Sequence, residues 1–222
     1  QKGQSIEKKI KGIILKNIPK ADSIVICGSA IQTNYREYED IDVIVATKEV
    51  LTKSLKEKNE LIKKAEKEAE KENINLDIQI YSRDSILSQY AHNPSLIYQL
   101  KDSKIIYGKL KILDKINISS LDLKMKLDWS EGLNVRSSAN EIYYAIRNAM
   151  LVSLLMNKRI DNYQLRQNLM NLLGADLIAR LKNNTASKIE KKLAISCLIL
   201  LVKHLETELN IVKDISLSLS SQ

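Results

Sequence analysis

The stretch that decides the fold is IVICGSAIQTNYREYEDIDVIV, residues 24–45. It contains an apolar run, a Gly28-Ser29 turn, ten further residues, and the two aspartates Asp40 and Asp42 with one isoleucine between them. The β-branched residues and the period-two alternation that begin at the first aspartate predict a strand. Because side chains two positions apart on a strand share a face, we expect both carboxylates to project from the same side.

A third carboxylate is expected on a neighbouring strand. Residues 23–27 predict a buried strand before the Gly-Ser turn, and the alternation in residues 73–81 predicts another strand, which carries Asp77. Carboxylates held close together repel one another unless a cation lies between them. Oxygen ligands of this kind suit Mg²⁺, so the three aspartates predict a site for two Mg²⁺ ions, with Mn²⁺ as an alternative. The simplest alternative for an Asp-x-Asp pair is two solvated carboxylates at a strand edge.

The turn before the aspartates has features of a phosphate-binding site. Gly28 lets the backbone approach a ligand without a Cβ in the way, and a short helix beginning at Ser29 would point free N–H groups at a phosphate. Arg36 is the only cation between that serine and Asp42 and is a candidate to neutralise phosphate charge. The alternative for Arg36 is an exposed ion pair with a neighbouring glutamate. The combination suits a nucleoside triphosphate.

These residues resemble the motif of the nucleotidyltransferase superfamily, which includes DNA polymerase beta, kanamycin nucleotidyltransferase and the minimal nucleotidyltransferases. The shared motif is an apolar strand, Gly-Gly or Gly-Ser, a short spacer, and Asp-x-Asp or Asp-x-Glu. It matches here at Gly28, Ser29, Asp40 and Asp42, and the later strand carboxylate of the family matches Asp77. The resemblance extends over residues 20–110. One departure is Glu39, where many relatives carry a small residue before the first aspartate.

The resemblance implies an α+β fold, in which a small mixed-sheet catalytic domain with flanking helices occupies residues 1–110. It also implies transfer of a nucleoside monophosphate, AMP from ATP in the first instance, to a hydroxyl acceptor with release of pyrophosphate. The acceptor is a small molecule, a protein or an RNA end. Asp40 and Asp42 are expected to bind both ions, Asp77 to bind the second ion and act as base, and Gly28 and Ser29 to hold the phosphates. The alternative is a non-catalytic nucleotide- or metal-binding partner protein of antitoxin type.

Beyond residue 110 the strand patterns stop and helical periodicity predicts an all-α bundle over residues 111–222. Helices are predicted at residues 140–156 and 188–209, and the tail from residue 215 is predicted to be a frayed terminus. Asp161-x-x-Gln164 and Ser187-x-x-Glu190 resemble capping boxes, which predict the start of one further helix and the start of the helix at 188–209. The bundle resembles the helical substrate-side domain of several antibiotic and archaeal nucleotidyltransferases and, more loosely, HEPN partner domains.

Composition limits the remaining classes of function. Residues 1–20 hold six lysines and one glutamate, whereas residues 21–47 hold five acids and one arginine, within a net charge of +8. An acidic site in a basic protein suits a cation-dependent reaction on an anionic substrate. The sequence lacks an apolar stretch of about 18 residues and a signal-peptide core, so we expect no membrane partner. Cys27 and Cys197 lie in apolar runs and are expected to be buried thiols of a cytoplasmic protein. The sequence leaves open whether the protein forms a homodimer.

Overall fold

The computed structural model describes residues 2–35, 40–49, 54–112, 115–212 and 214–218. The chain divides into two units, the first drawn from residues 1–90 and 96–112 and the second from residues 91–95 and 113–222. The first unit combines helices and strands, whereas the second is mainly helical. Within the described ranges, no helix is long and apolar enough to span a bilayer.

The first unit contains five helices and four strands in its described part. In chain order they are α1 (Lys2–Asn17), β1 (Ala21–Ile26), α2 (Ser29–Gln32), β2 (Ile41–Thr47), α3 (Leu55–Glu70), β3 (Leu76–Ser82), α4 (Arg83–Gln89), α5 (Pro94–Lys101) and β4 (Lys104–Tyr107). The sheet order is β3-β2-β1-β4, in which β2 and β3 are parallel and the other two pairs are antiparallel. The α+β class and the mixed sheet predicted from the sequence are therefore confirmed.

One face of the sheet packs against α1 and α3 and forms the core of this unit. The strand side chains on that face are apolar and alternate along the chain: Ile24, Ile26, Ile41, Val43, Val45, Leu76, Ile78 and Ile80. Helix α1 contributes isoleucines at helical spacing, Ile10, Ile13, Ile14 and Ile18, and α3 contributes Ala65 and Ala69. Because successive strand residues point to opposite faces, this packing directs the alternate residues of β2 and β3 away from the core.

The second unit contains five helices and two strands in its described part. They are β5 (Lys115–Ser119), α6 (Ser120–Asp128), α7 (Ala139–Met156), α8 (Asn162–Leu173), α9 (Ala175–Lys182), α10 (Lys188–Leu209) and β6 (Asp214–Ser218). The predicted helical character is confirmed, and α10 has the predicted bounds. Helix α10 begins with the predicted capping box, because the Ser187 and Glu190 side chains each accept a backbone N–H of the other residue. At α8 the structure shows the Asp161 half, in which the side chain accepts the N–H groups of Tyr163 and Gln164, and the Gln164 amide donates to Asn168 Oδ1.

The prediction of a strand-free second domain with a frayed tail was wrong. Strands β5 and β6 form a two-stranded antiparallel sheet in which Ile116 pairs with Leu217 and Ile118 with Ile215. All four of these apolar side chains are buried. Each strand is only five residues long and gains a hydrogen-bonding partner from the far end of the unit. A strand this short is stable only when it pairs with another strand, and the local sequence does not reveal which segment that partner is.

Candidate nucleotide-binding site on the sheet

Parallel pairing of β2 and β3 places two of the predicted aspartates next to each other. Asp42 on β2 is the register partner of Asp77 on β3. Both alternate with core residues, so both project from the face opposite α1 and α3. Asp40 precedes the first residue of β2 by one position and is exposed, whereas Asp42 is half-buried. The structure thus brings together the strand carboxylates that lie 35 positions apart in the sequence.

The electrostatics link the third aspartate to this pair. The pKa of Asp77 is raised above its usual value, first because neighbouring protein removes water from the carboxyl and second because of the negative charge of Asp40. Asp40 is therefore close enough to Asp77 to disfavour its ionised form. A cation near the two groups would reverse this effect, since an opposite charge stabilises a carboxylate.

The glycine turn lies directly against the Asp42 carboxylate. The Cys27 N–H donates to the Asp42 carbonyl oxygen at 2.9 Å, and this bond extends the pairing of β1 and β2 by one residue. Gly28 follows with φ of +74°, and a Cβ built at this position would lie 3.0 Å from Asp42 Oδ2. A side chain here would meet both backbone strain and a charged oxygen. The short helix α2 begins at Ser29, as predicted.

Two predicted phosphate-binding groups fall outside the described part of the structure. Arg36 belongs to residues 36–39, which also include Glu39, and none of the four is described. The backbone of Ser29 is placed in α2, but its side chain is not described. The roles expected for these groups therefore remain predictions.

The thiol beside the turn is buried in an environment that disfavours its reactive form. Cys27 is fully buried, and burial together with the charge of Asp42 raises its pKa to about 12. A thiol with such a pKa stays protonated at neutral pH, whereas the thiolate is the reactive form. The expectation of a buried Cys27 is confirmed, but Cys197 is only half-buried on α10, so that half of the expectation was wrong.

The structure adds a fourth carboxylate near the site that sequence reasoning missed. Glu66 on α3 accepts a hydrogen bond from the Ile78 N–H at 3.2 Å, at the outer edge of β3. Burial raises the pKa of Glu66, and the charge of Asp77 raises it further. In the sequence Glu66 is one of many acids in a charged helix, and only the position of β3 at the edge of the sheet distinguishes it.

A polar row continues along β3 beyond Asp77. Gln79 and Tyr81 occupy the next two positions on the same face, and the Tyr81 hydroxyl donates to Gln79 Oε1 at 3.0 Å. The Lys58 ammonium lies 5.8 Å from the centre of the Tyr81 ring. The hydrogen bond from Tyr81 holds the Gln79 amide on the same face as the aspartates.

The side chains as placed do not yet form a complete ligand set. Among the residues described, no three His, Cys, Asp or Glu side chains converge as ligands of one metal ion would. The donor chemistry nevertheless fits Mg²⁺, because the carboxylates are hard oxygen ligands and at least Asp40 and Asp77 repel each other. The site therefore combines Asp42 and Asp77 on paired strand positions, the turn at Gly28, and repulsion between the Asp40 and Asp77 carboxylates.

The mixed sheet of the first unit and the helical second unit form an α+β fold that is shared with a solved structure, which confirms the fold class predicted from the sequence. A solved structure with this fold is spectinomycin adenyltransferase AAD(9) from Enterococcus faecialis with ATP and spectinomycin. It matches with a TM-score of 0.60 at 15% identity, over 91% of this chain and 99% of that chain. This likeness shows the fold.

A second match is a tri-AMPylated Shewanella oneidensis HEPN toxin in complex with MNT antitoxin. Its TM-score is 0.33 at 18% identity, over 76% of this chain and 98% of that chain, which is too low to support an argument. No family model matches the sequence, and no curated protein matches it either.

Proposed function

We propose that this protein is a metal-dependent nucleotidyltransferase that moves AMP from ATP to a hydroxyl acceptor and releases pyrophosphate. The observation that carries the proposal is the register pairing of Asp42 with Asp77, with Gly28 packed against Asp42. Like-charged groups next to a glycine turn lower stability unless a ligand compensates for them. Mg²⁺ supplies the positive charge that does so, and it binds carboxylates and the phosphates of a triphosphate together.

Each residue of the site has a place in the proposed reaction. Asp40, Asp42 and Asp77 are the groups that would hold Mg²⁺, which when bound neutralises phosphate charge and lowers the pKa of the acceptor hydroxyl. The backbone at Gly28 and Ser29, with Arg36, would contact the triphosphate. The acceptor oxygen attacks the α-phosphorus, the bond to the bridging oxygen breaks, and pyrophosphate leaves. Asp77 accepts the hydroxyl proton as the general base.

The fold supports ATP as the nucleotide donor. The AAD(9) structure with which this chain shares its fold contains ATP and spectinomycin. We extend the nucleotide to this chain, and we assign the acceptor to the class of hydroxyl compounds, which includes small molecules, proteins and RNA ends. The first unit would then be the catalytic domain and the second the substrate or partner domain, and the protein would act in the cytoplasm.

The test is transfer of label from ATP that is radioactive at the α-phosphate. The protein is incubated with Mg²⁺ and three acceptor pools, namely hydroxyl-rich small molecules, proteins and RNA, and both acceptor labelling and pyrophosphate are measured. We expect labelling of one pool with equimolar pyrophosphate in the wild type and none in Asp40→Asn/Asp42→Asn. Asp84→Asn, an exposed aspartate in the first turn of α4, is the matched control and should retain activity.

The second candidate is a nucleotide- or metal-binding protein of antitoxin type without catalytic activity. The lack of three converging ligand side chains among the residues described fits its nucleotide-binding form, which needs no complete metal site. Such a protein would gain thermal stability from ATP while releasing no pyrophosphate with any pool. That pair of results would replace the enzymatic proposal with this one.

A further inference from the structure

Helix α10 has a row of exposed side chains opposite its buried face. The buried face consists of Ala194, Ile195, Leu198, Val202, Leu205 and Leu209. The exposed residues on the other side follow one another at alternating spacings of four and three positions, and we call them the outer row: Ile189, Leu193, Ser196, Leu200, Lys203 and Thr207. The same spacing occurs at the contact positions of paired helices. The exposed side of α10 therefore has the pattern that favours packing against another helix.

Half of the outer row is large and apolar. Ile189 is 79% exposed, Leu193 is 58% exposed and Leu200 is 71% exposed. These residues lie one and two helical turns apart on one side of the helix, so they form a continuous patch. Single exposed apolar side chains are common, whereas a continuous patch marks an interaction site.

The exposed charges beside the outer row change sign along the helix. Lys188 and Lys192 lie near its start, and Glu206 lies near its end. Lys188 and Glu206 are eighteen residues apart, which is five full turns, so both lie on the same side of α10. In a parallel pair of α10 helices each of these charges would face its like, whereas in an antiparallel pair the lysine faces the glutamate. The charges therefore suit a second copy of this chain in the antiparallel orientation.

A twofold axis near Cys197 brings the matching residues of two copies level. Lys188 and Glu206 are each nine positions from this cysteine. Leu193 precedes it by four positions and Leu200 follows it by three, so each leucine comes level with the other leucine of the second copy. One rotation thus matches leucine with leucine and lysine with glutamate, as the self-complementary interface of a symmetric dimer requires.

The cation within the outer row also meets an acid in this arrangement. Lys203 follows Cys197 by six positions and Glu190 precedes it by seven, so the two come level to within one residue. Glu190 already pairs with Arg180 of its own chain at 2.7 Å, and a carboxylate can accept hydrogen bonds from both cations. Lys203 therefore does not oppose the antiparallel pairing.

We propose that the outer row of α10 is the interface of a symmetric homodimer in which the α10 helices of two copies pack antiparallel. Because the apolar patch is small compared with a standard interface of about 800 Å² per partner, we expect a reversible dimer with a dissociation constant of about 10 μM. The inference does not depend on the nucleotidyltransferase proposal, since the outer row contains none of the three aspartates.

The first test is sedimentation equilibrium of the full chain between about 1 and 100 μM, a range that spans the expected dissociation constant. Leu200→Lys should weaken association by about tenfold or more, because symmetry removes two leucines from the interface and adds two cations. Leu55→Lys is the matched control, since Leu55 lies on α3 of the first unit and is also 71% exposed. This control should associate like the wild type, and unchanged melting temperatures of the dilute variants verify their folding.

The second test concerns the orientation of the two helices. Lys188→Glu should weaken association by about fivefold, because it places two glutamates together at both ends of the interface. Lys188→Glu/Glu206→Lys exchanges the charges and should restore the affinity of the wild type. A parallel pair would instead be insensitive to both variants, because like charges face each other in every case.

Cys197 allows a third, covalent measurement. Of the two cysteines of the chain, Cys27 is fully buried and Cys197 is half-buried. A bismaleimide with a spacer of about 8 Å, the usual distance between packed helix axes, should link two copies of the wild type. It should not link Cys197→Ser, and it should link Leu200→Lys far less at the same concentration.

Three results would overturn the proposal. The first is a wild type that stays monomeric at about 100 μM, well above the expected dissociation constant. The second is equal association of the wild type and Leu200→Lys, which would place the interface elsewhere. The third is unchanged association of Lys188→Glu, which would contradict the antiparallel pairing.

Discussion

Each unit of this protein holds side chains of like charge close together, and the two places differ in how the backbone presents them. On the sheet, strand pairing sets Asp42 beside Asp77, and the glycine turn removes the Cβ that would collide with Asp42. On the helices, buried hydrogen bonds of Asn148 and Ser130 fix the segments that carry Lys126 and Arg147. The comparison shows that strand register places two carboxylates side by side, whereas Lys126 and Arg147 influence each other only through the packing of α6 and α7.

The largest expected effect is on catalysis at the three aspartates Asp40, Asp42 and Asp77, which we call the acidic cluster. Asp42→Asn removes a charge from the centre of the proposed metal site and should lower the rate of AMP transfer by about a thousandfold, since a bound metal contributes several kcal/mol to the transition state. The rate is measured as pyrophosphate release with the acceptor pool identified for the wild type. Near-normal turnover of the Asp42→Asn variant would show that the acidic cluster takes no part in catalysis.

The next prediction distinguishes the cost of a side chain at positive φ from the cost of its contact with the Asp42 carboxylate. Gly28 and Gly132 have nearly the same positive φ, +74° and +75°, but only at Gly28 does a Cβ approach a neighbouring atom. Alanine at either position should cost about 1–2 kcal/mol of folding stability. Only Gly28→Ala should also weaken stabilisation by ATP, because its methyl group displaces Asp42 Oδ2. Denaturant unfolding and melting with ATP measure the two quantities, and equal ATP effects in both variants would contradict the close-approach argument.

A smaller effect is expected on the pH dependence of folding stability in the metal-free protein. Because the pKa of folded Asp77 lies above its unfolded value, its contribution to stability is full at pH below the unfolded pKa and is lost as pH rises through the folded pKa. Asp77→Asn should therefore raise the melting temperature of the metal-free protein at neutral pH and flatten its acid dependence. Melting is followed from about pH 3 to pH 7, with Asp84→Asn as control. A lower melting temperature for Asp77→Asn at pH 7 would mean that Asp77 has a stabilising partner.

The smallest effect concerns Lys126 on α6, whose pKa is lowered by burial and by the charge of Arg147 on α7. Lys126→Met removes one of two opposing cations and should raise the melting temperature in chloride buffer by about 1 °C, as expected for relief of one like-charge contact. Lys124→Met loses a hydrogen bond to Asn210 instead and should not be stabilised. Destabilisation of Lys126→Met would show that the lysine stem contributes more through packing than its charge costs.

The acidic cluster could be predicted from the sequence because all of its signals are local. Alternation predicted β2 and β3, the Gly-Ser turn marked the end of β1, and period two placed Asp77 on the polar face. The structure adds what alternation cannot give, namely that Asp42 and Asp77 are register partners. The binding roles of Asp40, Asp42, Asp77, Gly28, Ser29 and Arg36 stay predictions.

Features that depend on contacts between distant segments were not predictable. Glu66 looks like any exposed acid of α3 until β3 is known to be an edge strand whose Ile78 N–H needs an acceptor. The β5–β6 pair joins residues about a hundred positions apart, and neither strand would be stable alone. Lys126 and Arg147 likewise become neighbours only through the packing of α6 on α7.

The central claim is that the aspartates bind a metal-bound nucleotide, and melting with ATP tests it most directly. The melting temperature is measured with and without ATP and Mg²⁺ in the wild type, in Asp40→Asn/Asp42→Asn and in Asp84→Asn. We expect ATP to stabilise the wild type by about 2.7 kcal/mol at one hundred times the dissociation constant, and we expect this effect to depend on Mg²⁺, to be lost in the double variant and to be retained in the control. An ATP shift that is absent, or that is equally large without Mg²⁺ or in the double variant, would contradict it.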